Sequence, residues 1–132
     1  MLSSDSFCVV VKSSEKNPCN AFWKGDELSL NFNGQRKAII PKGFRNFQYC
    51  ISSNQVDIVN DRIQLQSTKN DGVCIESFFV NSKQILVGAM HDQPSFVIDA
   101  DQNSCNRKKM TTSEITIQNQ TVTSSKCKGK ND

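Results

Sequence analysis

Between residues 28 and 33 the chain alternates without a break: Leu28, Leu30 and Phe32 are apolar, while Ser29, Asn31 and Asn33 are polar. A period of two sends successive side chains to opposite faces of a strand, so one face meets a core and the other meets water. Asn33-Gly34 follows at once. Both residues tolerate positive φ, which the tight antiparallel turn requires, and the chain is predicted to return along residues 35–40.

The same pattern recurs along the chain. Ile63 and Leu65 share one face of residues 62–67, and Asp71-Gly72 turns the chain into the β-prone run 73–80. Asn81-Ser82 turns it back into 84–90, and Ile115 and Ile117 open a last hairpin that returns through Val122. With segments 7–12, 44–51 and 95–99 this makes about nine candidate strands at short spacing. No window carries the 3.6-residue period of a helix, although residues 103–113 have room for a short helical turn. No linker, internal repeat or low-complexity tract divides residues 1–132. The prediction is one all-β domain, an antiparallel β-sandwich of about eight strands, with a flexible tail at 126–132.

Six cysteines, Cys8, Cys19, Cys50, Cys74, Cys105 and Cys127, are spread along the chain with no CxxC pair, and His91 is the single histidine. Zinc ribbons and thioredoxin-like redox sites therefore lack their local ligand pairs. Three disulfides in an oxidising compartment are expected, in any of the possible pairings. Phe47, Tyr49 and Ile51 share a face that excludes Cys50, and Cys74 falls on the face of Glu76, so the bridges are expected mostly to clamp outer faces and loops. An immunoglobulin domain needs a cysteine pair across its sheets around a buried Trp, with a Tyr two residues before the second Cys. Trp23 lies only four residues after Cys19, and Gly72 stands two before Cys74.

Ser, Thr, Asn and Gln make up about a third of the chain, and the apolar class reaches only 36%, against roughly 45–50% (Gly included) in average domains. An uncharged polar surface with an even cysteine count points to secretion, with the signal peptide already removed. Asn119-Gln120-Thr121 is an N-glycosylation sequon. No stretch is long and apolar enough for a transmembrane segment. The net charge is +3, and the basic runs at 107–109 and 126–130 lie far in sequence from Trp23 and Tyr49. Nucleic-acid binding needs a broad basic face interleaved with aromatics, so none is expected.

Residues 56–81 resemble the PLAT (LH2) domain family. The run Val56-Asp57-Ile58-Val59-Asn60-Asp61-Arg62-Ile63-Gln64-Leu65-Gln66-Ser67 is similar to its turn-then-strand segment. The run Val73-Cys74-Ile75-Glu76-Ser77-Phe78-Phe79-Val80 is similar to its "W-x-(I/L/V)-E-x-(I/V)-x-V" strand. The resemblance extends over roughly residues 7–81. It departs from the family where Val73 or Cys74 replaces the tryptophan, in its three expected disulfides, and after Gln84. It implies two four-stranded antiparallel sheets. It also implies a non-catalytic module that docks on lipid, membrane or another protein, sometimes with calcium.

No GxSxG elbow, P-loop or HExxH motif occurs. His91-Asp92 with nearby Ser95 is the only arrangement near a triad, and adjacent strand or turn residues usually point apart, so no catalytic residue is expected. Asp99, Asp101 and Asn103 form D-x-D-x-N, alternate oxygens able to wrap a calcium ion, but without the Gly and terminal Glu of an EF-hand.

For docking on a lipid surface the candidates are Phe22, Trp23 and Lys24 in one connection and Lys42, Phe44 and Arg45 in another. In each, an exposed aromatic would enter the interface while a cation meets head groups. The alternatives are a carbohydrate-binding, lectin-like secreted module, favoured by the wealth of Asn and Gln, or a secreted effector with no small-molecule ligand. A monomer is expected.

Overall fold

The computed structural model describes residues 6–13, 27–68, 72–87, 94–99 and 111–124. They form an all-β fold of twelve short strand segments, almost without helix. A five-stranded antiparallel sheet runs in the order β12-β11-β5-β2-β3, from β2 (Leu28–Phe32), β3 (Gln35–Ile40), β5 (Ile63–Ser67), β11 (Glu114–Gln118) and β12 (Thr121–Ser124). A second sheet has the order β4-β1-β7-β8, from β1 (Ser6–Lys12), β4 (Asn46–Ser52), β7 (Ser77–Val80) and β8 (Lys83–Gln84). A third, β10-β9-β6, is built from β6 (Val73–Ile75), β9 (Phe96–Ile98) and β10 (Thr111–Thr112).

β6 and β7 are one run of chain broken at Glu76, whose N–H donates to the Lys12 carbonyl at 2.8 Å. The break has a clear purpose in packing. Val73 and Ile75 face the core from one side of Glu76, and Phe78 and Val80 face it from the other. Strict alternation would send one of these pairs to the opposite face, and one extra residue resets the phase. At the other junction Ser113 carries the chain from β10 to β11, and its carbonyl accepts from the Ser67 N–H at 3.1 Å. Bends of this kind form the corners where strands pass between sheets.

Only the apolar half of the alternation read from residues 28–33 holds: Leu28 and Leu30 are fully buried and Phe32 nearly so. Ser29 and Asn31, expected in water, are buried as well, in a hydrogen-bonded layer with Gln64 and Gln66 of the neighbouring strand. In β4, Phe47, Tyr49 and Ile51 pack on the core while Asn46, Gln48 and Cys50 are exposed. The fold departs from expectation in three further places. Of the predicted strand over 84–90, the described part, 84–87, holds only the end of β8 and an isolated bridge at Val87. Thr111–Thr112, placed in the possible helical turn, is a strand parallel to β9. The sheets number five, four and three strands instead of four and four.

Cys8 and Cys50 face each other across β1 and β4 and are joined by a disulfide. Cys8 is half-buried and Cys50 exposed, so this bridge is an outer clamp, as expected. Cys74 corrects that expectation for its own position. It is also disulfide-bonded, to a partner outside the described residues, but it is fully buried beside Val97. Val73 and Ile75 face the main core, so Cys74 lies on the opposite face as read, but that face is covered at this point instead of open to water. Cys19, Cys105 and Cys127 lie outside the described residues.

Three hairpins turn through pairs with positive φ: Asn33-Gly34 at 54° and 82°, Asn81-Ser82 at 51° and 72°, and Asn119-Gln120 at 53° and 63°. This double left-handed geometry matches the twist of the flanking strands. Asn opens each pair because its short polar side chain tolerates the region, whereas Ser82 and Gln120 hold it at a cost of about 1–2 kcal/mol. Ser82→Gly is expected to raise stability by about 0.5 kcal/mol, because relief of strain exceeds glycine's added flexibility. A higher midpoint in urea unfolding checks this.

Candidate functional site

Strand directions sort the connections into two ends. At one end lie the start of β1, the loop between β4 and β5, and the three Asn-initiated turns. At the other, the Ser13 N–H donates to the Arg45 carbonyl, and Asp99 follows β9.

The β4–β5 loop is a small rigid object. Asp57 Oδ1 accepts from the N–H groups of Val59 and Asn60, both at 3.1 Å, and Asp57 Oδ2 accepts from Asn60 Nδ2 at 2.7 Å. Asp61 closes the ring: its N–H donates to the Asp57 carbonyl, and its Oδ2 accepts from the Asp57 N–H. Asp61 Oδ1 accepts from Asn33 Nδ2 at 2.9 Å, and the Arg62 N–H donates to Asn33 Oδ1 at 2.8 Å. Gln118 Nε2 ties the Asn60 carbonyl to β11. Asp and Asn stabilise turns through such local side-chain bonds.

The consequence is that Ile58 and Val59 are held out in water, 56% and 55% exposed. The other large apolar side chain so exposed among the described residues is Leu86, at 38%. Ile58 and Leu86 line one groove of about 590 Å³, and Val59 is the neighbour of Ile58. The floor is Phe7, Ile63, Val80, Ile85 and Ile117. These side chains are buried but keep a little exposure, where most of the core has none. The core therefore opens to solvent at this end. Lys83, Asn81, Gln84, Asp61 and Gln120 supply the polar rim.

The hydrogen bonds from Asn60, first its side chain and then its backbone, with that from the Val59 N–H, hold the Asp57 carboxyl below its ordinary value of 3.8. These bonds favour the charged form, so their contribution to loop order is complete above pH 3.8 and fades as pH falls through the lower folded-state value. Amide NMR resonances of Val59 and Asn60 are expected to hold constant down to that ordinary value. Below it they should shift together, and Asp57→Asn should abolish the step.

The residues singled out from the sequence fall differently. Phe22, Trp23 and Lys24 lie outside the described residues. Lys42 and Arg45 are exposed at the end opposite the groove, but Phe44 is not the surface aromatic it was expected to be. Gly43, at φ 80°, completes a turn closed by Phe44 N–H to the Pro41 carbonyl, and Phe44 sits 8% exposed in the core. Asp99 is buried at the same opposite end, while Asp101 and Asn103 lie outside the described residues, as do His91 and Asp92. Asn119 is exposed at a hairpin tip beside the groove.

Ile58, Val59 and Leu86 escaped sequence reading because no periodicity marks them. The available signal was an apolar pair enclosed by Asp57, Asn60 and Asp61, residues that build turns and so hold their neighbours out of a core.

On the outer face of the five-stranded sheet the amides bind one another. Asn31 Nδ2 donates to Gln64 Oε1 at 3.0 Å and Gln66 Oε1 at 3.1 Å, and Gln64 Nε2 donates to Glu114 Oε1 at 3.1 Å. Ser29 Oγ donates to Asn31 Oδ1 at 2.6 Å. Tyr49 packs edge-on against Phe32 in the core. Among the described residues no helix is long and apolar enough to cross a membrane, and no group of three or more His, Cys, Asp or Glu gathers as metal ligands. No family model, no curated protein and no solved structure matches this chain.

Proposed function

We propose that this protein is a secreted, non-catalytic module that docks on lipid surfaces through the apolar end of its sandwich. The observation that carries the reading is the placing of exposed Ile58 and Leu86 on the rim of one groove, with exposed Val59 next to Ile58 at the same loop tip. Exposed apolar side chains scattered singly need no explanation, but a cluster rimmed by polar groups marks an interaction surface. Ile58 and Val59 stand at a loop tip ordered before any partner arrives, so little conformational entropy is lost on insertion. The disulfide and the uncharged polar composition support secretion, and the resemblance to PLAT domains supports docking.

The charges favour a zwitterionic surface. Asp57 and Asp61 flank the inserting pair and Lys83 stands across the groove, so no net positive patch attracts anionic head groups. A lectin-like role is less well supported, because the amides of the outer sheet face are already paired with one another.

Co-sedimentation with phosphatidylcholine vesicles tests the proposal. Ile58→Ser with Val59→Ser is expected to lower partitioning about thirtyfold, from losing roughly 2 kcal/mol of apolar transfer. Lys42→Gln with Arg45→Gln, at the opposite end, should have little effect, and a calcium chelator should have none because Asp99 also lies there. Partitioning that survives loss of Ile58 and Val59 would defeat the reading.

A further inference from the structure

The groove behind the docking rim has a chemistry of its own. Its floor is wholly apolar, formed by Phe7, Ile63, Val80, Ile85 and Ile117, and its volume of about 590 Å³ falls within the roughly 300–1,000 Å³ of small-molecule sites. Two charged side chains line it, Asp61 and Lys83. They are not equivalent. Both oxygens of Asp61 are occupied, by Asn33 Nδ2 and the Asp57 N–H, in the interactions that build the loop. Among the described residues the Lys83 ammonium has no hydrogen-bond or ion-pair partner. Lys83 is the first residue after the Asn81-Ser82 turn and pairs with Val80 across the hairpin, which fixes its backbone at the mouth.

An apolar trough with one unpaired cation at its mouth complements an amphiphile with one chain and one negative charge. We propose that the groove binds a free long-chain carboxylate, its hydrocarbon chain lying on the floor and its carboxylate paired with Lys83. This deepens the docking reading by naming a ligand for the same end of the molecule. It also makes a separable claim, since a fatty acid monomer is bound one to one and needs no bilayer.

Decanoate, kept below the concentration at which it self-associates, and decanol, with the same chain and no charge, are the probes, and calorimetry on the full chain is the measurement. Decanoate is expected to bind at one site. Lys83→Gln should weaken decanoate about tenfold and leave decanol unchanged. Thr121→Trp, an exposed position on the groove wall, should weaken both. No binding of decanoate, equal affinity for it in Lys83→Gln, or indifference of both probes to Thr121→Trp would each overturn the assignment.

Vesicle partitioning of the same variants keeps the two readings apart. Docking retained by Lys83→Gln while decanoate binding falls supports both. Docking without any decanoate site leaves only the surface reading, and a decanoate site without docking leaves only this one.

Discussion

Replacing Cys8 and Cys50 together by alanine is expected to lower stability by about 4 kcal/mol, the chain entropy of closing a loop of this length. The two residues are 42 apart in sequence, yet stand directly opposite each other on β1 and β4. Cys50 is exposed and Cys8 half-buried on the outer face, so the double substitution opens no cavity in the core. Almost the whole effect is therefore expected in the unfolded chain, with the native sheet unchanged. Equilibrium denaturation should show an earlier midpoint, while the far-ultraviolet dichroism of the folded variant stays that of the parent. A loss under about 1 kcal/mol would mean that the loop is already constrained in the unfolded state. On a protein expected to carry only 5–15 kcal/mol of net stability, the full effect is large.

Much of the framework is legible in the sequence because it rests on local rules. Asn33-Gly34 and Asn81-Ser82 announce their turns through residues that tolerate positive φ, and both turns form. The alternation of Leu28, Leu30 and Phe32 needs only the pleat of a strand, and these side chains are in the core. What is not legible depends on the register between distant segments. Cys74 reads as outward by simple alternation and does lie opposite Val73 and Ile75, but that face is covered, and Cys74 is fully buried beside Val97. Phe44 sits between Lys42 and Arg45 like a surface anchor, until Gly43 folds the chain back and drives the ring inward.

The candidate site was less visible still. Its floor is drawn from β1, β5, β7, the segment after β8 and β11, which meet only through the sheet pairing. The exposure of Ile58 and Val59 follows from hydrogen bonds at Asp57, and that of Asp57 and Asp61 to each other from the closure of one short loop. Each bond is simple, but their sum is visible only once the loop is closed.

The bulge at Glu76 offers the sharpest separation of side chain from backbone. Deleting Glu76 is expected to lower stability by about 2 kcal/mol, whereas Glu76→Ala should change it by less than about 0.5 kcal/mol. The Glu76 side chain is exposed and its position matters through the backbone N–H that reaches the Lys12 carbonyl. Removing the residue joins Ile75 directly to Ser77, and simple alternation then keeps Val73, Ile75, Phe78 and Val80 on one face. The core pattern survives, and the loss falls on the corner. The Lys12 carbonyl loses its donor, and one residue fewer carries the chain from its pairing with β9 to its pairing with β1. Equilibrium denaturation of the two variants decides the matter. A deletion variant of native stability would show that the corner needs neither the extra residue nor the hydrogen bond to the Lys12 carbonyl.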